Sequence, residues 1–186
     1  MNGMPYRISI CGKQGVDSFS RQGVTHLLSI EDPSVPKDTP SWFSGPHEQV
    51  RFHDVESVRE AEAMRAVAPT KEDVAAILNF GEVCYNASEN GRVHLLIHCF
   101  AGACRSTAAA YALICQAMGP GCAREALEHV LSVRPEAFPN YLVVKHADLS
   151  LQRGGEMLQA LGPLRSQFKK IVDEWAEDPD FAGEES

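Results

Sequence analysis

Val93-His94-Leu95-Leu96-Ile97-His98, running directly into Cys99-Phe100-Ala101-Gly102-Ala103-Cys104-Arg105-Ser106, is the stretch on which the reading of this chain turns. Its first part is short and almost continuously apolar, the pattern of a strand buried on both faces. Its second part is a loop of small residues that opens on a cysteine and closes on an arginine. Residues 106–118 then form an Ala-rich run that stops at Gly119-Pro120-Gly121, which reads as a helix with a sharp end. Strand, tight loop and helix in succession place the loop where an α/β sheet binds its ligands, at the carboxyl end of a strand.

Upstream, residues 6–11 and 26–30 read as further strands, with a short helix possible over 15–22. Glu48-Gln49-Val50-Arg51-Phe52-His53 reads as a third strand that ends at Asp54. Residues 31–47 hold Pro33, Pro36, Pro40 and Pro46 and predict a long loop. Trp42 and Phe43 within it either pin that loop to the core or wall the mouth of a pocket. Thr70 with Asp73 predicts a capped helix start, and the helix runs to about Tyr85 with Val74, Ile77, Leu78 and Val83 facing inward. Downstream, helical stretches are expected over 122–132 and 140–151. A last helix carries Leu164, Phe168, Ile171, Val172 and Trp175 toward the core. Strands alternating with helices predict an α/β fold: a central, mostly parallel sheet of about four to five strands flanked by helices. Residues 1–176 read as one domain, and the acidic residues 177–186 as a disordered tail.

The chain has 186 residues and a formal net charge of -8, which disfavours nucleic acid or an anionic membrane as partner. No apolar run reaches the ~20 residues of a membrane span, and the first residues lack a secretory-signal pattern. The six cysteines lie mostly in apolar stretches rather than in a disulfide framework, so a reducing, cytoplasmic compartment is expected.

The loop residues Phe100, Ala101, Gly102, Ala103, Cys104 and Arg105 predict a phosphate-binding loop. Successive backbone N–H groups and the positive end of the following helix would cradle a tetrahedral oxyanion, with Gly102 permitting the turn. Arg105 offers a planar fork to two phosphate oxygens. The same groups favour thiolate over thiol at Cys99, which sits at the base of the cradle, placed for in-line attack. No cofactor and no metal are called for. A zinc site from His98, Cys99 and Cys104 would have a poor ligand spacing and an arginine beside the cation.

His98-Cys99 through Arg105-Ser106-Thr107 resembles the H-C-x5-R-[S/T] motif of the protein tyrosine and dual-specificity phosphatase superfamily. From roughly residue 25 to residue 135 the order of elements resembles a compact bacterial tyrosine phosphatase. The resemblance implies a cysteine phosphatase fold with Cys99 as nucleophile, Arg105 as the phosphate ligand and Ser106 as hydroxyl donor to the sulfur. It implies Asp54 as general acid, although its separation from Cys99 is longer than in that group; Glu56 and Asp32 are the reserve acids. His98 orients the loop through hydrogen bonds, His53 holds Asp54, and Asn140 lies where related enzymes position the hydrolytic water. Cys104 locally resembles the second loop cysteine of low-molecular-weight phosphatases, which makes it a redox candidate able to resolve an oxidised Cys99. The implied activity is metal-independent hydrolysis of a phosphomonoester, phosphotyrosine in a protein or a small phosphate ester. A rhodanese-like sulfurtransferase and a catalytically silent phospho-binding module are the alternatives.

Overall fold

The computed structural model describes residues 4–176, the side chains of 168 and 170–176 excepted. The expected tail at 177–186, and the packing expected of Phe168, Ile171, Val172 and Trp175, lie outside the described residues. Four strands form one sheet: β1 (Arg7–Gly12), β2 (His26–Glu31), β3 (His47–Arg51) and β4 (His94–Cys99). Their spatial order is β1-β4-β2-β3, and every neighbouring pair is parallel. The helices are α1 (Val58–Met64), α2 (Lys71–Ser88), α3 (Arg105–Met118), α4 (Ala123–Val133), α5 (Tyr141–Ser150) and α6 (Glu156–Ala176), and a 3₁₀ turn spans Lys13–Phe19. Among the described residues no helix is long and apolar enough to cross a membrane.

The apolar run of β4 follows from burial on both faces. Leu95 and Ile97 point into the main core with Leu28, Ile30 and Ile10, under α2, α3 and α5. Leu96 points the other way, into a smaller cluster with Leu27, Cys11, Val16 and Phe43. Trp42 stacks edge-on to Phe43 and donates from Nε1 to Asp17, so these two rings pin the proline-rich loop to the far face of the sheet. They do not wall the pocket that contains Arg105.

Thr70 and Asp73 form the expected reciprocal cap at the start of α2. Val83, read as inward, is 46% exposed. Nine residues separate it from the buried Val74, and at ~100° per residue that is half a turn too far round the helix. The seven-residue α1 lies in the stretch between Asp54 and Thr70, for which no element is predicted. Its start does carry a sequence signal: the Ser57 side chain accepts from Glu60 N, and Glu60 Oε2 in turn accepts from Glu56 N. The third strand was expected to reach His53 but ends at Arg51, and a tight turn follows at Asp54, where Val55 N donates to His53 O.

Candidate active site

β4 delivers Cys99 to the base of a loop whose peptide carbonyls are turned outward and occupied. Phe100 O accepts from Lys13 N, Ala101 O and Gly102 O accept from the Arg134 guanidinium, and Ala103 O accepts from Phe138 N. Cys104 O accepts from Ala108 N and Asn140 N, while Thr107 Oγ1 donates to Ala103 O and Cys104 O. Because a trans peptide sets its N–H opposite its C=O, five outward carbonyls turn five N–H groups toward the hollow of the loop. One of them, Gly102 N–H, reaches Cys99 Sγ at 3.2 Å. Gly102 is required twice over: its φ is +75°, and a Cβ there would overlap the Cys11 carbonyl carbon and the Gly12 nitrogen.

Cys99 is buried, and its sulfur lies 3.2 Å from Ser106 Oγ in the first turn of α3. Ser106 is therefore spent on the sulfur rather than on capping the helix, whose N-cap makes no side-chain bond. Arg105 is 4% exposed. Its Nη1 is held from behind by Asp32 Oδ1 at 2.6 Å and Phe52 O at 2.8 Å. Among the described residues Nε has no hydrogen-bond partner, the nearest acidic oxygen being Asp54 Oδ2 at 3.9 Å. A buried guanidinium with one edge fixed and the other open is arranged for an anion.

Asp54 lines a cleft of about 330 Å³ together with Asp32, His53, Met64, Arg65, Phe100 and Arg105. Asn140 Nδ2 donates to Asp54 Oδ1 and to Val55 O, both at 2.9 Å, while its Oδ1 accepts from Val143 N and caps α5. Asn140 is fully buried, with its amide nitrogen bound to Asp54 and Val55 O and its oxygen to the start of α5, so it ties Asp54 to that helix. Asn140→Ala removes that tie without touching Cys99 or Arg105. We expect kcat to fall about 10-fold while phosphate inhibition stays within about 2-fold, and stability to drop by about 1–3 kcal/mol from the stranded partners. Steady-state kinetics and urea midpoints check this.

The other candidates fall elsewhere. Asp32 is the counter-ion of Arg105. Glu56 Oε2 accepts from Arg165 at 2.7 Å and from Tyr141 N at 3.1 Å, so it ties α5 and α6 together; burial pushes its pKa up against the pull of Arg165. His53 Nδ1 accepts from Val67 N at 2.8 Å and holds the segment after α1 rather than Asp54. His98 is buried on the far face, its Nε2 2.7 Å from Ser29 Oγ, whose oxygen also meets His47 Nε2 at 2.8 Å. Burial pushes its pKa down to about 4, with Glu31 only partly opposing, so the ring is neutral near pH 7. The Cys104 thiol bonds the Asp54 carboxylate and is held as a thiol, its pKa pushed up to about 12 by burial first and the Asp54 charge second. Arg134, the clamp on two loop carbonyls, was not singled out from the sequence. Its place before Pro135, where a helix must end, was the one available hint.

This loop at the end of β4, on a four-stranded parallel sheet backed by helices, is the architecture of the cysteine phosphatase fold. The fold is that of the protein tyrosine and dual-specificity phosphatases. Its similarity to dual specificity protein phosphatase 15 from Homo sapiens is 29% identity over 125 residues, 67% of this chain. The chain spans about a third of that relative's length, 36%. The solved structure of DUSP15 matches at TM-score 0.58 and 21% identity, covering 89% of this chain and 94% of the other. That of human DUSP28 matches at TM-score 0.56 and 18% identity, covering 86% and 94%. At these identities the two structures establish the shared fold. No protein-family model matches the chain.

Proposed function

We propose that this chain is a metal-independent phosphomonoester hydrolase, a protein tyrosine phosphatase working through a cysteinyl-phosphate, with residues 1–176 as its catalytic domain. The observation that carries the reading is the buried Cys99 sulfur 3.2 Å from both Gly102 N–H and Ser106 Oγ, in a loop whose carbonyls all have partners and which closes on a buried Arg105. The Cys99 thiolate attacks phosphorus in line, the phosphorus–oxygen bond to the leaving group breaks, and Asp54 gives its proton to the departing oxygen. The N–H ring and Arg105 hold the equatorial oxygens as charge spreads over them. Water then attacks phosphorus with Asp54 as base. The phosphorus–sulfur bond breaks, and the Ser106 hydroxyl hydrogen-bonds the departing thiolate. A reducing, cytoplasmic compartment belongs to the same reading, because the nucleophile works only as a free thiol, as all six cysteines are.

Hydrolysis of p-nitrophenyl phosphate at mildly acidic pH, with and without EDTA, tests it. EDTA is expected to change nothing, and Asp54→Asn to lower kcat by about 10²- to 10⁴-fold, the usual worth of a positioned general acid. An undiminished Asp54→Asn would remove Asp54 from the role. Persulfide formation from thiosulfate would favour the sulfurtransferase, and phosphopeptide binding without hydrolysis the silent module.

A further inference from the structure

Arg65 stands at the mouth of the Asp54–Arg105 cleft in a backbone conformation that suits glycine far better than arginine. It is the C-cap of α1, with φ +53° and ψ +38°, the left-handed region. A non-glycine residue there is strained and persists only where its surroundings hold it. Here they do. Arg65 N bonds back to the last turn of α1, Ala66 N bonds to Ala61 O, and His53 and Val67 exchange a reciprocal pair of bonds, His53 N to Val67 O and Val67 N to His53 Nδ1. Ala61, Ala66 and Ala68 pack on Val55, Leu142 and Tyr141, fixing the segment to the residue that follows Asp54.

The side chain is exposed, lines the cleft, and has no hydrogen-bond or ion-pair partner among the described residues. On a chain of net charge -8, an exposed arginine whose backbone is anchored beside Arg105 and Asp54 is suited to receive an anion. Two apolar side chains flank the same cleft in the open: Phe100, 70% exposed, and Met64, 65% exposed. Their exposure has no packing purpose, but they are suited to hold an aromatic ring standing above the cradle.

We propose that Arg65 is a specificity-determining residue that receives a second negative charge of the substrate, a Glu or Asp side chain beside the phosphotyrosine. Phe100 and Met64 sandwich the phosphotyrosine ring. The inference rests on the phosphatase reading above and names the substrate class of that site. α1 is then the substrate-selecting element, and a left-handed arginine is retained where glycine would relieve strain because glycine carries no charge.

The test compares kcat/KM on two phosphotyrosine peptides that differ only in having Glu or Ala on both sides of the phosphotyrosine. Wild type is expected to prefer the acidic peptide by about 3- to 10-fold, in proportion to a partly shielded charge-assisted pair, and the preference should shrink with added salt. Arg65→Gln should bring the ratio to within about 2-fold of one, and Arg65→Glu should invert it. Arg65→Gly adopts the same backbone freely, so it should lose the preference while its melting temperature does not fall, which separates recognition from folding. A ratio that survives Arg65→Glu overturns the inference even though both peptides are hydrolysed. Failure of wild type to hydrolyse either peptide or p-nitrophenyl phosphate would instead overturn the phosphatase reading.

Discussion

Cys99→Ser is expected to lower turnover of p-nitrophenyl phosphate by at least about 10⁴-fold, to a rate indistinguishable from background. Oxygen replaces sulfur in the same cradle, yet an alcohol at pH 7 is almost wholly un-ionised. The groups around that atom stabilise a negative charge but do not take up a proton: Gly102 N–H is a donor, and Ser106 is an equally weak acid. A serine nucleophile needs an adjacent base, but the His98 ring is held by Ser29 on the other face of the sheet, and His53 Nδ1, in the cleft, already accepts from Val67 N. The loop carbonyls keep their partners, so phosphate should still inhibit or bind with an affinity within about 3-fold of wild type. Single-turnover kinetics and calorimetric titration with inorganic phosphate check both halves. Turnover above about 1% of wild type would mean that another residue attacks the phosphorus and would end the cysteinyl-phosphate mechanism.

Arg105→Lys is expected to cost about 10²- to 10⁴-fold in kcat/KM although the charge is kept. The guanidinium is asked to do two jobs at once: Nη1 is fixed to Asp32 and Phe52 O, and Nε, without a hydrogen bond among the described residues, is left for the phosphate. A lysine ammonium is one point charge. If it pairs with Asp32 it leaves the phosphate, and if it turns to the phosphate it abandons the anchor that aims it. Phosphate inhibition should weaken together with kcat, unlike in Asn140→Ala, because ground state and transition state both use the fork. The fold should tolerate the change, since Asp32 is 42% exposed and can be solvated when its partner is shortened. Matched kinetics, phosphate inhibition constants and melting curves check this; an unchanged inhibition constant would place phosphate recognition elsewhere.

The run from Val93 to Ser106 was legible because its signals are local. An apolar strand, a glycine at positive φ and a cysteine five residues before an arginine are statements about neighbours in the chain, and backbone sterics turn them directly into a loop. The capping pair Thr70–Asp73 was legible for the same reason, and α1 would have been, had Ser57 and Glu60 been read as the same kind of signal. Val83 was misplaced by reading apolarity without helical phase. The partners of the loop were harder to see. Asn140 lies 86 residues from the carboxylate it holds, and Asp32 lies 73 residues from the guanidinium it anchors. Nothing in the residues flanking Arg134 says that its guanidinium will close on Ala101 O and Gly102 O.

By itself, then, the sequence determined the placing of Cys99, Arg105 and the strand–loop–helix that joins them, because all three lie within one short segment whose geometry its own backbone dictates. Only the tertiary structure decided what surrounds them. Parallel strand order β1-β4-β2-β3 brings the end of β2, the segment after β3 and the start of α5 against one loop. That convergence pairs Asp32 with Arg105, ties Glu56 to Arg165, bonds Asn140 to Asp54, and sets Arg65 at the mouth of the cleft. The physical reason is that a side chain's role depends on what it meets, and contacts across the sheet are set by packing between distant segments rather than by the chain on either side.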